Sequence, residues 1–302
     1  MPDPSPPPFE LPKFDTLETL PDPTFGDDGR TVYTDIEFAM PTGYRPLRLD
    51  LTVPPVGAPV PVVLFIHGGA FMFGSRRSHP LLPPIREALL DRGIAVAAVE
   101  YRLSGEARFP ALVHDVHAAV RWLRSFGPAI GLCGDAIGAW GESAGGYLAV
   151  FLGLNVTDPA LVGDIGVADV SSALQAAVGW YPPTRFLTMD AEAQPEAATP
   201  HDAADSPESL LIGGAIQQNP EATAFASPIS HVGPAAAPML LIHGLRDRVV
   251  PFPQSVGLDE ALRRVGTDVT LELVPDADHV FVGVDVAPIV ARSADFLAER
   301  LR

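Results

Sequence analysis

The sequence has 302 residues, 47% of them hydrophobic, which suffices for one large domain or two small ones with a sizeable core. Its 37 acidic and 20 basic side chains give a formal net charge of −17. Such an acidic surface repels nucleic acids and anionic lipids, so we expect no nucleic-acid partner, whereas the charge says little about a small neutral substrate.

The chain carries few signs of secretion or membrane insertion. Its single cysteine, Cys133, has no partner for an intramolecular disulfide, which fits a reducing compartment. The N-terminal stretch MPDPSPPPFELPKF lacks the basic and apolar regions of a signal peptide, and no run of about 18 apolar residues exists. We therefore expect a cytoplasmic protein without a membrane span, either a monomer or a homodimer.

The predicted elements begin after a leader. Residues 1–30 are rich in Pro and Asp, and we expect them to form a Pro-rich N-terminal arm. Residues 31–40 and 44–54 then alternate apolar and polar side chains on either side of a Pro-Thr-Gly turn. This pattern predicts an antiparallel hairpin with one face toward solvent.

From residue 61 onward, strand patterns alternate with helix patterns. Mostly continuous apolar runs predict strands at 61–67, 94–102, 136–143, 173–182, 238–244 and 269–276. Amphipathic patterns predict helices at 81–93, 110–127, 144–155, 254–266 and 287–301. The alternation predicts the α/β class, with a mostly parallel central sheet and helices on both faces.

One segment interrupts the alternation. Residues from about 183 to 235 are rich in Ala, Pro, Asp and Ser and show no strong period. A stretch of this length inside an α/β domain is usually functional, so we expect a small inserted lid. We thus predict a single domain over residues 31–302 that contains the insertion.

A nucleophile motif stands in the middle of the chain. Gly-Glu-Ser-Ala-Gly occupies residues 141–145, after the apolar stretch 137–140 and before the helical stretch 146–154. A serine at a sharp strand-to-helix turn needs small neighbours two residues away on either side, because strand and helix approach closely there. We therefore predict Ser143 as the nucleophile.

A serine hydroxyl needs a base, and the base needs a carboxylate that orients it. Among eight histidines, His279 follows a predicted strand near the C-terminus and has acidic residues upstream, so we predict it as the base. We predict Asp247, in the loop after another strand, as the acid. Asp276 and Asp278 remain alternatives, although their place on the short loop of His279 suits them poorly to face its ring.

A glycine pair directly follows an apolar strand in FIHGGAFMFG, residues 65–74. Attack on an acyl carbon creates an oxyanion, which needs fixed N–H donors. Glycines there let the backbone approach the substrate and turn its N–H groups into the pocket. We predict oxyanion donors at Gly69 and Ala70, with a third at Ala144 directly after the nucleophile.

Together these motifs resemble the α/β-hydrolase esterases with an HGG motif, a group that includes bacterial hormone-sensitive-lipase-like enzymes. Within that group the chain is most similar to the BD-FAE-like branch, named after a feruloyl esterase domain. The resemblance covers about residues 45–300 and is carried by HGGAF, EYRL, GESAGGYLA, SPESLLIGG, ASPISHV and LIHGLRDRVVPFPQS. It implies the α/β-hydrolase fold and its chain order of serine, acid and histidine. The chain departs from the family at Ala70, where a third glycine is frequent, and at Glu100, where the family usually has Asp.

The sequence therefore predicts a serine carboxylesterase for short- to medium-chain esters. An amidase or kynurenine-formamidase-like activity with the same triad is an alternative, and a non-catalytic binding protein on this fold is a distant one. We expect the substrate pocket to include Phe71, Trp180, Tyr181, Val250 and apolar lid residues. We expect no metal or organic cofactor, because the sequence has no clustered Cys/His ligands and no Gly-rich phosphate loop.

Overall fold

A computed structural model describes residues 20–55, 57 and 59–302 of the chain. Most of the predicted N-terminal arm, residues 1–19, lies outside the described residues. The remainder of that arm contains a short strand, β1, that the sequence pattern did not predict. It pairs antiparallel with the next strand.

Nine strands form one sheet. They are β1 Thr24–Phe25, β2 Thr31–Ala39, β3 Leu47–Val53, β4 Val60–Ile66, β5 Ala95–Val99, β6 Leu132–Glu142, β7 Ala176–Trp180, β8 Met239–Gly244 and β9 Val269–Val274. The strand order across the sheet is β1-β2-β3-β5-β4-β6-β7-β8-β9. β1, β2 and β3 pair antiparallel, as does β3 with β5, and every pair from β5 across to β9 is parallel. The predicted N-terminal hairpin and the mostly parallel sheet are both confirmed.

Nine α-helices accompany the sheet in the described part of the chain. They are α1 Leu82–Leu90, α2 Ala111–Phe126, α3 Ala144–Gly153, α4 Pro159–Val162, α5 Met189–Glu192, α6 Pro207–Ile212, α7 Pro220–Phe225, α8 Pro253–Arg264 and α9 Ala287–Arg300. All five predicted helices are among them. The ends follow local chemistry: α1 stops before Gly93, whose φ of 73° suits a residue without a Cβ.

The central strands are buried on both faces, because alternate side chains enter two different cores. In β4, Val62 and Leu64 belong to a core that includes residues of α2 and α3. Val63 and Phe65 belong to a second core, which includes residues of α1 and α9. This double burial explains why the strand appears in the sequence as a continuous apolar run.

Residues 183–235 join the adjacent parallel strands β7 and β8 through short helices only. They pack against α3, α8 and the loops after β4 and β8. The Tyr147 hydroxyl donates to the Ala226 carbonyl at 2.7 Å, and the Phe186 ring stacks on Tyr147 with centroids 5.5 Å apart. Phe186 also meets the edge of Phe71 at 6.1 Å. The segment is an insertion packed on the sheet domain, and its role as a lid stays a prediction.

No helix within residues 20–55, 57 and 59–302 is long and apolar enough to span a bilayer.

Candidate active site

Ser143 lies at the turn between β6 and α3 in a strained conformation, with φ 53° and ψ −120°. The turn depends on glycines on both sides. A Cβ added to Gly141 would lie 2.0 Å from the Gly145 carbonyl oxygen, and one added to Gly145 would lie 2.0 Å from the Ile66 carbonyl oxygen. Since real Cβ atoms do not approach backbone oxygens this closely, no larger residue fits at either position. Strand and helix therefore present the serine at the carboxyl end of the sheet.

His279 begins a short 3₁₀ helix after β9 and faces the serine. Its Nε2 atom lies 3.1 Å from Ser143 Oγ, and its Nδ1 atom lies 2.8 Å from Asp247 Oδ2. The edge of the Tyr181 ring packs against the imidazole, with centroids 4.7 Å apart. Three loops, following β6, β8 and β9, thus bring the predicted nucleophile, acid and base into one hydrogen-bonded series.

The carboxylate of Asp247 is enclosed and fully engaged, with the residue only 1% exposed. Its Oδ1 atom accepts the N–H groups of Val249 at 2.9 Å and Val250 at 2.8 Å. Its Oδ2 atom faces His279 and also lies 3.3 Å from His243 Nε2. Burial by itself would raise the pKa of Asp247, but the contacts with His243 and His279 outweigh burial and hold it below its usual value. The group is an anion beside the imidazole.

The two alternative acids have other partners. The Asp278 carboxylate accepts the backbone N–H of Arg248 at 3.0 Å and that of His279 at 2.7 Å. Asp276 pairs with the Arg246 guanidinium at 2.7 Å, with both side chains about two-thirds exposed. Asp278 therefore ties the backbone of the histidine loop to that of the acid loop, and Asp247 alone of the three contacts the imidazole ring.

The loop after β4 carries the predicted oxyanion donors. Gly69 has a φ of 129°, and a Cβ there would lie 2.0 Å from the Phe73 carbonyl oxygen. Ala70 and Phe71 also have positive φ, 50° and 61°, so the turn is strained over three residues. Among the described residues, the N–H groups of Gly69, Ala70 and Ala144 donate to no protein acceptor. Gly69 and Ala70 also line the cavity over Ser143.

A cavity of about 390 Å³ opens over the serine and the histidine. Its apolar wall is formed by four side chains: Phe73, Pro80, Val249 and Val280. Phe73 is 61% exposed at the rim, which leaves its ring free to contact a bound molecule.

The structure corrects the predicted substrate contacts. Phe71, Trp180, Tyr181 and Val250 are all at least 96% buried, and none lines the cavity. The rings build the core instead, and Val250 supplies an N–H to the catalytic acid candidate. The cavity lining also contains no residue of 183–235, contrary to the expected lid contribution.

Sequence reasoning missed Glu142 and His79, which both line the cavity. Glu142 is 2% exposed, and its Oε1 atom lies 2.7 Å from His79 Nε2. The same oxygen accepts the Gly68 N–H at 2.5 Å. The position of Glu142 directly before the nucleophile was the available signal, whereas His79 stands in a loop with no pattern around it. Within the described ranges, no group of three or more His, Cys, Asp or Glu side chains is arranged to hold a metal ion.

The sheet order, the serine turn and the Ser-His-Asp geometry together define an α/β-hydrolase. The chain belongs to the BD-FAE family, whose model matches residues 49–262. Esterase LipC of Mycobacterium tuberculosis is 33% identical over 231 residues, which cover 76% of this chain and 55% of LipC. Ethyl acetate hydrolase of Pseudomonas putida is 28% identical over 248 residues, 79% of this chain and 70% of that enzyme. The match thus spans little more than half the length of LipC.

A solved structure resembles the fold closely. It is described as a truncated form of a carbohydrate esterase from gut microbiota and superposes with a TM-score of 0.80. The two chains are 27% identical, and the match covers 91% of this chain and 98% of the other.

Proposed function

We propose that this chain is a serine carboxylesterase that hydrolyses short- to medium-chain carboxylic esters through an acyl-enzyme intermediate. One observation carries the proposal: the series Ser143, His279 and Asp247, at 3.1 and 2.8 Å, opens into a cavity beside the unpaired amides of Gly69 and Ala70. The esterases among the similar proteins support it.

In the acylation half, Ser143 Oγ attacks the ester carbonyl carbon while His279 Nε2 accepts its proton. The carbonyl electron pair moves onto oxygen, and the N–H groups of Gly69, Ala70 and Ala144 donate to the resulting oxyanion. Asp247 fixes the imidazole with a proton on Nδ1 and stabilises the imidazolium. The intermediate then collapses as His279 gives its proton to the leaving alcohol oxygen.

The deacylation half repeats these steps with water. His279 takes a proton from a water molecule that attacks the acyl carbon of the Ser143 ester, and the same amides hold the second oxyanion. Collapse breaks the bond to Oγ and returns the proton to the serine. The carboxylic acid leaves, and the enzyme is restored. Apart from water and the ester, every group in this chemistry comes from the chain itself.

The expected chain length follows from the cavity. A volume of about 390 Å³ with one apolar wall accommodates a small acyl or alcohol group better than a long lipid chain. We therefore expect acetate and butyrate esters to react faster than decanoate esters.

The test is hydrolysis of p-nitrophenyl acetate, butyrate and decanoate by the wild type and by Ser143→Ala. We expect the variant to lose at least about 10³-fold in kcat. Ser230→Ala is a matched control, since Ser230 is exposed in the insertion and does not line the cavity. Comparable rates in wild type and Ser143→Ala would refute the nucleophile assignment. A wild type that cleaves p-nitroacetanilide but none of these esters would favour the amidase alternative instead.

A further inference from the structure

Glu142 is a buried carboxylate next to the nucleophile that the reaction above does not use. Its backbone lies at the end of β6, where the next residue, Ser143, donates its N–H to the Trp180 carbonyl at 3.0 Å. Its side chain reaches across to the loop after β4. A Cβ added to Gly68 would lie 2.2 Å from Glu142 Oε1, so the carboxylate occupies the space that any side chain at position 68 would need.

Two donors converge on one oxygen of this carboxylate. The Gly68 N–H donates to Oε1 at 2.5 Å, and His79 Nε2 lies 2.7 Å from the same atom. The N–H of Leu81 donates to His79 Nδ1 at 3.3 Å, which leaves Nε2 as the protonated nitrogen. His79 Nε2 thus donates to Glu142 Oε1. The Glu142 side chain is 3% exposed and that of His79 12%, so little water competes for these bonds.

The carboxylate is ionised in this position. Burial would raise the pKa of Glu142, but the hydrogen bond from His79 and, to a smaller extent, that from the Gly68 N–H outweigh burial and lower it. A charged acceptor forms stronger hydrogen bonds than a neutral one, so the loop backbone at Gly68 is firmly held.

The held amide stands directly before the oxyanion donors. Gly68 is followed by Gly69 and Ala70, whose unpaired N–H groups border the cavity, and Glu142 is followed by Ser143. A single residue therefore spans the nucleophile turn and the oxyanion loop. The loop needs such a restraint, because its strained residues with positive φ have lower-energy alternatives.

We propose that Glu142, oriented by His79, is a positioning residue that sets the distance between Ser143 and the oxyanion donors. The proposal rests on the serine esterase function inferred above. It assigns Glu142 a role in the transition state rather than in substrate affinity, because the oxyanion forms only after attack.

The test compares Glu142→Ala with Glu142→Gln, whose amide oxygen still accepts from Gly68 and His79 but lacks the charge. The readouts are kcat and KM for p-nitrophenyl butyrate, inhibition by 1,1,1-trifluoropentan-2-one, and inhibition by butyramide. The trifluoroketone forms a serine hemiketal with an oxyanion, whereas butyramide occupies the site unreacted. For Glu142→Ala we expect kcat and trifluoroketone affinity to fall together by about 10²-fold, with KM and butyramide inhibition within about threefold of wild type. Glu142→Gln will lose less than about tenfold.

Three results would overturn the proposal. One is a kcat for Glu142→Ala within about threefold of wild type. Another is an equal loss of kcat in Glu142→Ala and Glu142→Gln with unchanged trifluoroketone affinity, which would mean that the charge of Glu142 acts on His279 and not through the oxyanion loop. The third is an equal loss of trifluoroketone and butyramide binding, which would mean general damage to the site.

His79→Phe keeps an aromatic ring at this position and removes the hydrogen-bond donor to Glu142, so it tests the proposal if Glu142→Ala does not fold. We expect its kcat and trifluoroketone affinity to fall in parallel, and unchanged values would overturn the role of His79. Ser143→Ala is assayed alongside. Full activity in that variant would refute the esterase proposal itself, whereas an inactive Ser143→Ala beside a fully active Glu142→Ala would refute only the positioning role.

Discussion

Replacing Asp247 by asparagine changes which nitrogen of His279 carries the proton. Two backbone N–H groups donate to Oδ1, so the asparagine oxygen will occupy that position and the NH₂ group will face the imidazole. The NH₂ group then donates to Nδ1 across the 2.8 Å contact. The proton must move to Nε2, where it points at Ser143 and prevents the ring from accepting the serine proton. His243 adds a second conflict, because its Nε2 lies 3.3 Å from the same corner of the acid.

The expected loss is large because two effects add. The wrong tautomer removes the base, and the neutral amide no longer stabilises the imidazolium in a site where Asp247 is 1% exposed. The same exchange in a Ser-His-Asp enzyme of another fold costs about 10⁴ in kcat, or about 5.5 kcal/mol of transition-state stabilisation. We expect a loss of that order for Asp247→Asn with p-nitrophenyl acetate, with KM changed much less.

The matched control is Asp278→Asn. Its amide oxygen can still accept the N–H groups of Arg248 and His279, while the ion pair with the exposed Arg248 side chain is lost. We expect less than about tenfold loss of kcat, since exposed ion pairs contribute little. If Asp247→Asn retains kcat within about tenfold of wild type, or if Asp278→Asn is equally impaired, the assignment of the acid is wrong.

Three further outcomes are expected. Gly145→Ala will abolish activity and lower the unfolding temperature, because its Cβ would lie 2.0 Å from the Ile66 carbonyl oxygen. The control Gly233→Ala, whose Cβ would have no atom within 4 Å, will change neither, and a normal melting curve with full activity for Gly145→Ala would contradict the prediction. Phe73→Ala will raise KM for p-nitrophenyl butyrate by about tenfold or less with kcat nearly constant, since the exposed Phe73 ring lines the cavity. A fall in kcat at constant KM would exclude a contact between this ring and the bound substrate. Burial lowers the pKa of His117 to about 3, so below about pH 6.5 the unfolded chain binds a proton that the native state excludes, and stability falls as the pH decreases toward 3. Urea titrations at about pH 7.5 and pH 5 should show that the free energy of unfolding falls by about 2 kcal/mol less in His117→Gln than in the wild type, and equal falls in the two proteins would refute this role of His117.

The elements with strong periodicity were predictable from the sequence. Runs such as that of β4 are apolar throughout because both faces are buried. The helical spacing of α2 was also recognisable, although residues 115–123 are all buried and the polar ones bond to other parts of the protein. β1 and the short helices of 183–235 were not predicted, because segments of two to six residues contain too little of any period.

The site was predictable where backbone geometry restricts the residue type. Gly141 and Gly145 mark the serine turn because no Cβ fits at either position. The two glycines can be recognised from the sequence alone. The cavity lining was not predictable, since Phe71 and Phe73 are chemically alike and only the turn between them decides which one is buried. The bond between Glu142 and His79 was equally hidden, because it joins residues 63 positions apart through side chains alone.

The hydrogen bond between His279 and Ser143 closes a sequence separation of 136 residues. We expect it to form only after β8 and β9 have joined the parallel sheet, and long-range parallel pairing is slow because loop-closure entropy is lost before contacts compensate for it. During refolding, hydrolytic activity should therefore appear in the last kinetic phase, together with the burial of Trp180, whose ring meets Phe281 and whose indole N–H donates to Ser293 of α9. Ester turnover and the fluorescence of Trp180 would then both report the docking of the C-terminal strand and helix.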